Sequence, residues 1–376
     1  MKLFYLLIVL LILNSCSFDD KSGIWQNENQ VSEKEDFVFK DFKKISSSNS
    51  NFDKIIPIDG KLKIKIDKPI SNYSWKDNFY NDGNNSKNFK YSDINKIVLK
   101  TKKLTKYPIN EYILFENNNL FVNDKNGNII IYSLEKNSII EKLNFYKKKY
   151  KGIEKKLNLI IEKNIIYISD NIGYIYAYNY ETKKFLWAKK FKVPFRSNLK
   201  LSSDKLIAAS QNNDLLVIDK FNGNLKKLIP TEESKINNEF INNLALSDEE
   251  IIFLNTYGSL YSVSINGLKL NWFLNLNQNI DLNLSNIFFG SKIIYHEEKI
   301  FVSNNDNFFI LDNKSGSVIA KKNFSTLFKP LAINNYIFLV SKNNFLILMN
   351  SNTGDIVYSY DLVEKVAKFT NSKKRK

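Results

Sequence analysis

The sequence predicts an all-β fold, a β-propeller of four-stranded blades, and three observations point to it. First, residues 164–187, NIIYISDNIGYIYAYNYETKKFLW, hold short apolar runs of strand length separated by turn-forming residues. Second, the same plan recurs in LFVNDKNGNIIIYS (120–133), LIAASQNNDLLVID (206–219), IIFLNTYGSLYSVS (251–264), IFVSNNDNFFILDN (300–313) and YIFLVSKNNFLILMN (336–350). Third, the residue opening the second strand of each copy is Gly127, Gly173, Asp214, Gly258, Asn307 and Asn344, which sets spacings of 46, 41, 44, 49 and 37 residues. A period of roughly 40 to 50 residues made of strands alone belongs to a propeller with one blade per repeat. Six repeats are clear.

In the best copy, residues 165–168 read as a short strand and 169–173 as a turn. Residues 174–179 read as a second strand in which Tyr174, Tyr176 and Tyr178 alternate with Ile175 and Ala177. A turn over 180–184 leads to a third strand ending on Trp187. Six prolines in 376 residues and little helical periodicity agree with a single closed repeat architecture, predicted to occupy 52–376.

The amino terminus reads as an address. Residue Lys2 precedes an apolar run over 3–13, which is too short to span about 30 Å of hydrocarbon and reads as a signal peptide covering 1–15. Leu13-Asn14-Ser15-Cys16 resembles the bacterial lipobox, which implies lipidation of Cys16 and a multiply acylated, palmitate-type membrane anchor. Cys16 is the only cysteine, so disulfides and thiol chemistry inside the fold are excluded. Ser17 stands where an Asp would imply inner-membrane retention by resemblance to the lipoprotein sorting rule, so the expected location is the periplasmic face of the outer membrane. Polar residues over 16–51, including SSSNSN, read as a flexible tether. No strand completes a blade after Val363, and the chain is expected to stop short of a full ring.

Net charge of +16 raises the question of nucleic acid. The charge is nearly all Lys, spread through an Asn- and Ile-rich sequence in which no Lys/Arg cluster with interleaved aromatics stands out inside the repeats. It reads as a solvated surface, and no nucleic-acid partner is expected.

The turn after each second strand is the specific signal. Ala177, Asn179, Thr182 and Trp187 fall in the order of the quinoprotein-type (PQQ-like) propeller repeat, as do Leu348, Asn350, Thr353, Gly354 and Tyr358. Asp219 with Gly223, Asp312 with Ser315 and Gly316, and Ser264 with Gly267 and Trp272 are partial copies. An Asp or Asn side chain caps the turn, Gly takes a positive φ, and the aromatic packs between blades. Within 71–89, Trp75, Gly83 and Asn84 resemble the opening segment of such propellers, and 94–103 would be an outer strand leading into the first repeat. Amino-terminal residues are expected to pair with the last repeat and protect its edge.

Lipobox, tether, Trp-Gly-Asn opening and PQQ-like repeats together resemble the BamB-like propeller lipoproteins of the outer-membrane β-barrel assembly machinery, over roughly 16–360. That resemblance implies seven to eight blades in a complete fold. It also implies a non-catalytic scaffold that binds the periplasmic domains of the barrel-assembly protein and aids insertion of β-barrel proteins. Nascent outer-membrane strands could add to blade edges by β-augmentation.

Related repeats also form PQQ-dependent dehydrogenases, one alternative; a periplasmic polysaccharide-binding propeller is another. Vicinal cysteines of the quinoprotein enzymes are absent, and no phosphate loop, nucleophile elbow or paired-carboxylate spacing occurs. The single histidine, His296 in YHEEK, reads as a surface turn residue, since Glu297 and Glu298 point apart on an extended backbone. No catalysis, cofactor or metal is expected.

A binding surface remains. Arg196 in KVPFRSN (192–198) is one of two arginines, the other being Arg375 in the basic tail. In a chain that otherwise uses Lys, an Arg beside loop apolars points to planar, bidentate carboxylate pairing. Val193, Phe195 and Arg196 match the family's hydrophobic-x-hydrophobic-Arg partner loop. Its acidic companion loop would fall at 238–242, NEFIN, where Glu239 is the only acid. The expected partner-binding set is therefore Val193, Phe195, Arg196 and Glu239.

Overall fold

The computed structural model describes residues 17–18, 25–26, 52–60, 62–71, 74–91, 97, 99–233, 242–277, 290–326 and 328–364. The expected signal peptide, Cys16, Glu239 and most of the tether lie outside the described residues; within the tether, β1 (Ser17–Phe18) pairs antiparallel with β2 (Trp25–Gln26).

Among the described residues, six four-stranded antiparallel meanders follow, each with its strands in chain order. Blade 1 is β3 (Leu114–Glu116), β4 (Asn119–Asn123), β5 (Asn128–Ser133) and β6 (Ser138–Asn144). Blade 2 is β7 (Leu157–Glu162), β8 (Ile165–Asp170), β9 (Tyr174–Asn179) and β10 (Lys184–Lys190). Blade 3 is β11 (Lys200–Ser202), β12 (Lys205–Ala209), β13 (Leu215–Asp219) and β14 (Leu225–Ile229). Blade 4 is β15 (Asn243–Leu246), β16 (Glu250–Leu254), β17 (Ser259–Ser264) and β18 (Leu270–Asn275). Blade 5 is β19 (Ile294–His296), β20 (Lys299–Ser303), β21 (Phe308–Asp312) and β22 (Val318–Lys322). Blade 6 is β23 (Leu331–Ile333), β24 (Tyr336–Val340), β25 (Phe345–Asn350) and β26 (Ile356–Asp361).

The apolar runs are continuous because each middle strand is buried on both faces. In β8, Ile166 and Ile168 enter the cluster shared with blade 1, while Tyr167 enters the cluster shared with blade 3. Five such clusters fill the junctions from blade 1–2 to blade 5–6. First strands are inward and, β7 apart, span only three or four residues, whereas fourth strands such as β14 and β18 are largely exposed.

The repeat motif works across blades. Asn179 Oδ1 accepts from the amides of Glu181 and Thr182 at 3.0 and 2.8 Å, capping the turn as expected. Trp187 of β10 donates Nε1 to Lys220 O of the next blade at 2.9 Å and lies against Gly223. Gly223 has φ +74°, and a Cβ there would sit 2.4 Å from the indole, so both conformation and packing require glycine. Trp272 and Gly316 repeat the arrangement between blades 4 and 5.

Segment 52–113 behaves differently. Ile56 pairs with Ser359 of β26, in line with the expected closure onto the last repeat, and Phe52 packs on Phe324 and Phe345. Further on, Ile109 bridges Asp124 of blade 1. The outer strand expected over 94–103 is not formed at 97 or 99–103; the remainder lies outside the described residues.

Residues 75–85 run through the hub and bond the inner strand, or its approach, of all six blades. Trp75 exchanges two backbone bonds with Phe115 (2.6 and 2.8 Å), and Ile161 N donates to Lys76 O at 2.9 Å. Lys200 Nζ reaches Asp77 Oδ2 at 2.7 Å and Asn81 O at 2.6 Å. Leu246 N and Tyr295 N donate to Asp82 O and Gly83 O, both at 2.8 Å. Asn84 Nδ2 donates to Leu244 O and Ile293 O, and Asn85 exchanges two bonds with Ala332. What reads in sequence as an opening segment is the pin of the ring.

Candidate partner interface

Because strands alternate direction, the turn between a blade's second and third strands and the connection to the next blade emerge on one face. Connection 191–199 therefore lies beside the turns at 171–173 and 210–214. Asp170 starts the first of these, its Oδ1 accepting from Ile172 N and Tyr174 N, both at 2.8 Å. Burial pushes the Asp170 carboxyl above the ordinary range, while the Tyr146 hydroxyl, donating to Oδ2 at 2.6 Å, opposes that shift.

The connection is tied to both blades. Phe191 N donates to Gly173 O at 2.7 Å, and Phe195 N to Asp170 O at 3.0 Å. Gly173, at φ +95°, would place a Cβ 2.9 Å from Val193 O, so the backbone of the loop can lie this close only over glycine. From the other side, Gln211 N donates to Pro194 O at 2.7 Å and Arg196 N donates to Ala209 O at 3.1 Å. Ser197 Oγ accepts from Ala209 N, and Asn198 exchanges two bonds with Leu244, leading inward to Lys200 and the hub. A loop held at this many points is pre-organised, which lowers the entropic cost of binding.

Phe195 is 2% exposed, packed among Tyr167, Trp187 and Leu199 in the blade 2–3 core and edge-on to Phe191 at 5.6 Å. It supports the loop from beneath. Val193 and Arg196 are half-buried on the outside and Lys192 is exposed. Glu239 lies in the sequence between blades 3 and 4, outside the described residues. The described beginning of that connection is pinned by Glu232, which sequence reasoning missed. Its carboxylate accepts from Asn255 Nδ2 (2.7 Å), Ser259 Oγ (2.9 Å) and Tyr261 OH (3.1 Å), and burial followed by this acid pushes Tyr261 up to about 12. The acidic run TEES at 231–234 was the available signal. The other end, Asn242, is fully buried, bridges Ser197 and donates to Ser210 O at 2.9 Å.

His296 differs from its sequence reading: it ends inner strand β19 and is half-buried at the opposite mouth of the hub, lining a cavity of about 510 Å³. Burial holds its pKa below the ordinary histidine range. Its Nε2 is 3.8 Å from Glu297 Oε1, beyond the reach of an acid–base pair. Among the described residues, no group of three or more His, Cys, Asp or Glu is gathered to hold a metal.

Capped turns, Trp-on-Gly blade junctions and a pinned hub define a PQQ-like repeat propeller. The family model described as outer membrane protein assembly factor BamB matches residues 154–360, more than half of the sequence, and the chain belongs to that family. Among solved structures, it is similar to BamB from Moraxella catarrhalis, with 12% identity, a TM-score of 0.56, and coverage of 66% of this chain and 75% of that one. It is also similar to the computationally designed Ika8 protein, with 12% identity, a TM-score of 0.53, and coverage of 66% and 73%. At these identities the likeness is one of fold. No curated protein matches the sequence.

Proposed function

We propose that this chain is a non-catalytic scaffold lipoprotein of outer-membrane protein assembly, anchored through Cys16 at the periplasmic face of the outer membrane. Its 192–198 loop binds the periplasmic domains of the barrel-assembly protein. The observation that supports this reading most is the family match, whose span includes that loop. In this mechanism Arg196 pairs with a partner carboxylate, Val193 contributes apolar contact, and Phe195 acts by holding the loop in place from the core. Glu239 supplies a second, acidic contact from the neighbouring connection. Buried Arg and aromatic anchors dominate interfaces of this kind.

Arg196→Glu should weaken co-purification with the barrel-assembly protein by about 2 kcal/mol or more, the scale of an interface hot spot, with unchanged thermal unfolding. An unaltered pull-down refutes the site. Cys16→Ser should move the protein from the membrane to the soluble fraction; retention in the membrane fraction refutes the anchor.

A further inference from the structure

At the hub mouth, on the face that carries the 192–198 loop, lies a cavity of about 370 Å³. Its apolar wall is Trp75, Phe79 and Tyr112, the last two meeting edge-to-face at 5.5 Å. Two ammonium groups complete it. Lys292 Nζ stands 4.7 Å from the Phe79 ring centre and 5.1 Å from that of Tyr112, and donates to the Tyr112 hydroxyl at 2.5 Å. Lys329 Nζ donates to Asn84 O at 2.7 Å and to Phe79 O at 3.3 Å, using two of its three hydrogens on neutral carbonyls.

The cavity has more positive than negative charge. The nearby Asp77 carboxylate is committed to Lys200, and Glu111, exposed at the rim, is engaged with the Tyr112 hydroxyl, which leaves two ammonium groups against one carboxylate. Burial, reinforced by the charges of Lys200 and Lys292, pushes Lys329 down to about 8; burial lowers Lys292 as well, against the pull of Glu111. Half-buried cations facing an aromatic wall are poorly solvated, and an anion entering the cavity would offset that cost for both. Inorganic phosphate is a poor fit, because the wall offers it nothing in exchange for its hydration. A carboxylate attached to an apolar body matches both halves of the site.

We propose that this hub-mouth cavity binds an organic carboxylate, the anion held by Lys292 and Lys329 and the apolar body lying against Trp75, Phe79 and Tyr112. Ser86 lines the same cavity and adds a hydroxyl. The assignment stands on the cavity alone and does not depend on the partner-loop reading.

The test is calorimetric titration of the full chain with phenylacetate, benzyl alcohol and inorganic phosphate. Phenylacetate should bind with a Kd of about 1 mM or tighter, and both controls at least about tenfold more weakly. Because Lys329 staples the hub backbone, the variants are Lys292→Met and Tyr112→Phe, whose polar ends bond each other rather than the hub backbone. Lys292→Met should weaken phenylacetate about tenfold while leaving thermal unfolding within a few degrees of wild type. Tyr112→Phe keeps the wall and should weaken it less. Equal binding of benzyl alcohol or phosphate, no phenylacetate binding, or unchanged affinity in a folded Lys292→Met protein overturns the proposal.

Discussion

In blade 2, Ile166, Tyr167 and Ile168 send alternate side chains into two apolar clusters, whereas in the hub Asp77, Asn84 and Asn85 reach for polar groups on blades far away in sequence. The blades use burial, which is non-directional and forgiving of shape. The hub segment uses hydrogen bonds and one buried ion pair, which are directional and costly when half-made. Upstream of the hub segment Ile55, Ile58, Ile66 and Ile70 are exposed, so past Phe52 apolar burial does little to hold 53–60 and 62–70 in place. The ring is therefore stacked by its repeats and registered by its pin.

The contrast is tested most severely at Lys200 and Asp77, whose side chains are 0% and 5% exposed. Asp77→Ala strands a buried ammonium and should cost about 3–5 kcal/mol in chemical unfolding. The double change Asp77→Leu with Lys200→Met removes both charges and should recover much of that loss. If the single and double variants are equally destabilised, the hub pin is not held by charge pairing.

A smaller effect is expected at a blade junction. Gly223→Ala combines positive φ with a clash on Trp187 and should cost roughly 1–3 kcal/mol, whereas Gly152→Ala, with open space around it, should stay within about 0.5 kcal/mol. Smaller again, Trp187→Phe keeps most of the apolar contact but loses the bond to Lys220 O, and should cost about 1 kcal/mol.

The mildest test is pH. Lys329 has a folded pKa of about 8 against an ordinary 10.5, so between those values the unfolded chain holds more protons and this group's contribution to stability rises with pH. Below about pH 8 its burial penalty is present in full. The unfolding free energy of wild type minus that of Lys329→Met should climb across this window; a flat difference contradicts the placement of the ammonium.

Most of the blade architecture was legible because the second and third strands of each repeat are apolar runs bounded by Asn, Asp or Gly turns. The first strands were harder: Lys200–Ser202 and Leu331–Ile333 span three residues each, too short for any period to show. The pin was illegible beyond its Trp-Gly-Asn spacing, because Asn84 and Asn85 find their partners 160 to 247 residues later. At the candidate site, the rarity of arginine singled out 192–198 as a candidate, but an aromatic flanked by Pro194 and Arg196 carries no periodicity to say which way it faces. Phe195 faces in, and only the clusters around it reveal this.

The central functional claim is that the partner meets the face carrying 192–198. A photo-crosslinking residue placed at Val193 and, separately, at Glu298 on an opposite-face turn tests it most directly. A cross-link to the barrel-assembly protein is expected from position 193 and none from 298. Cross-linking from 298 with none from 193 would contradict it.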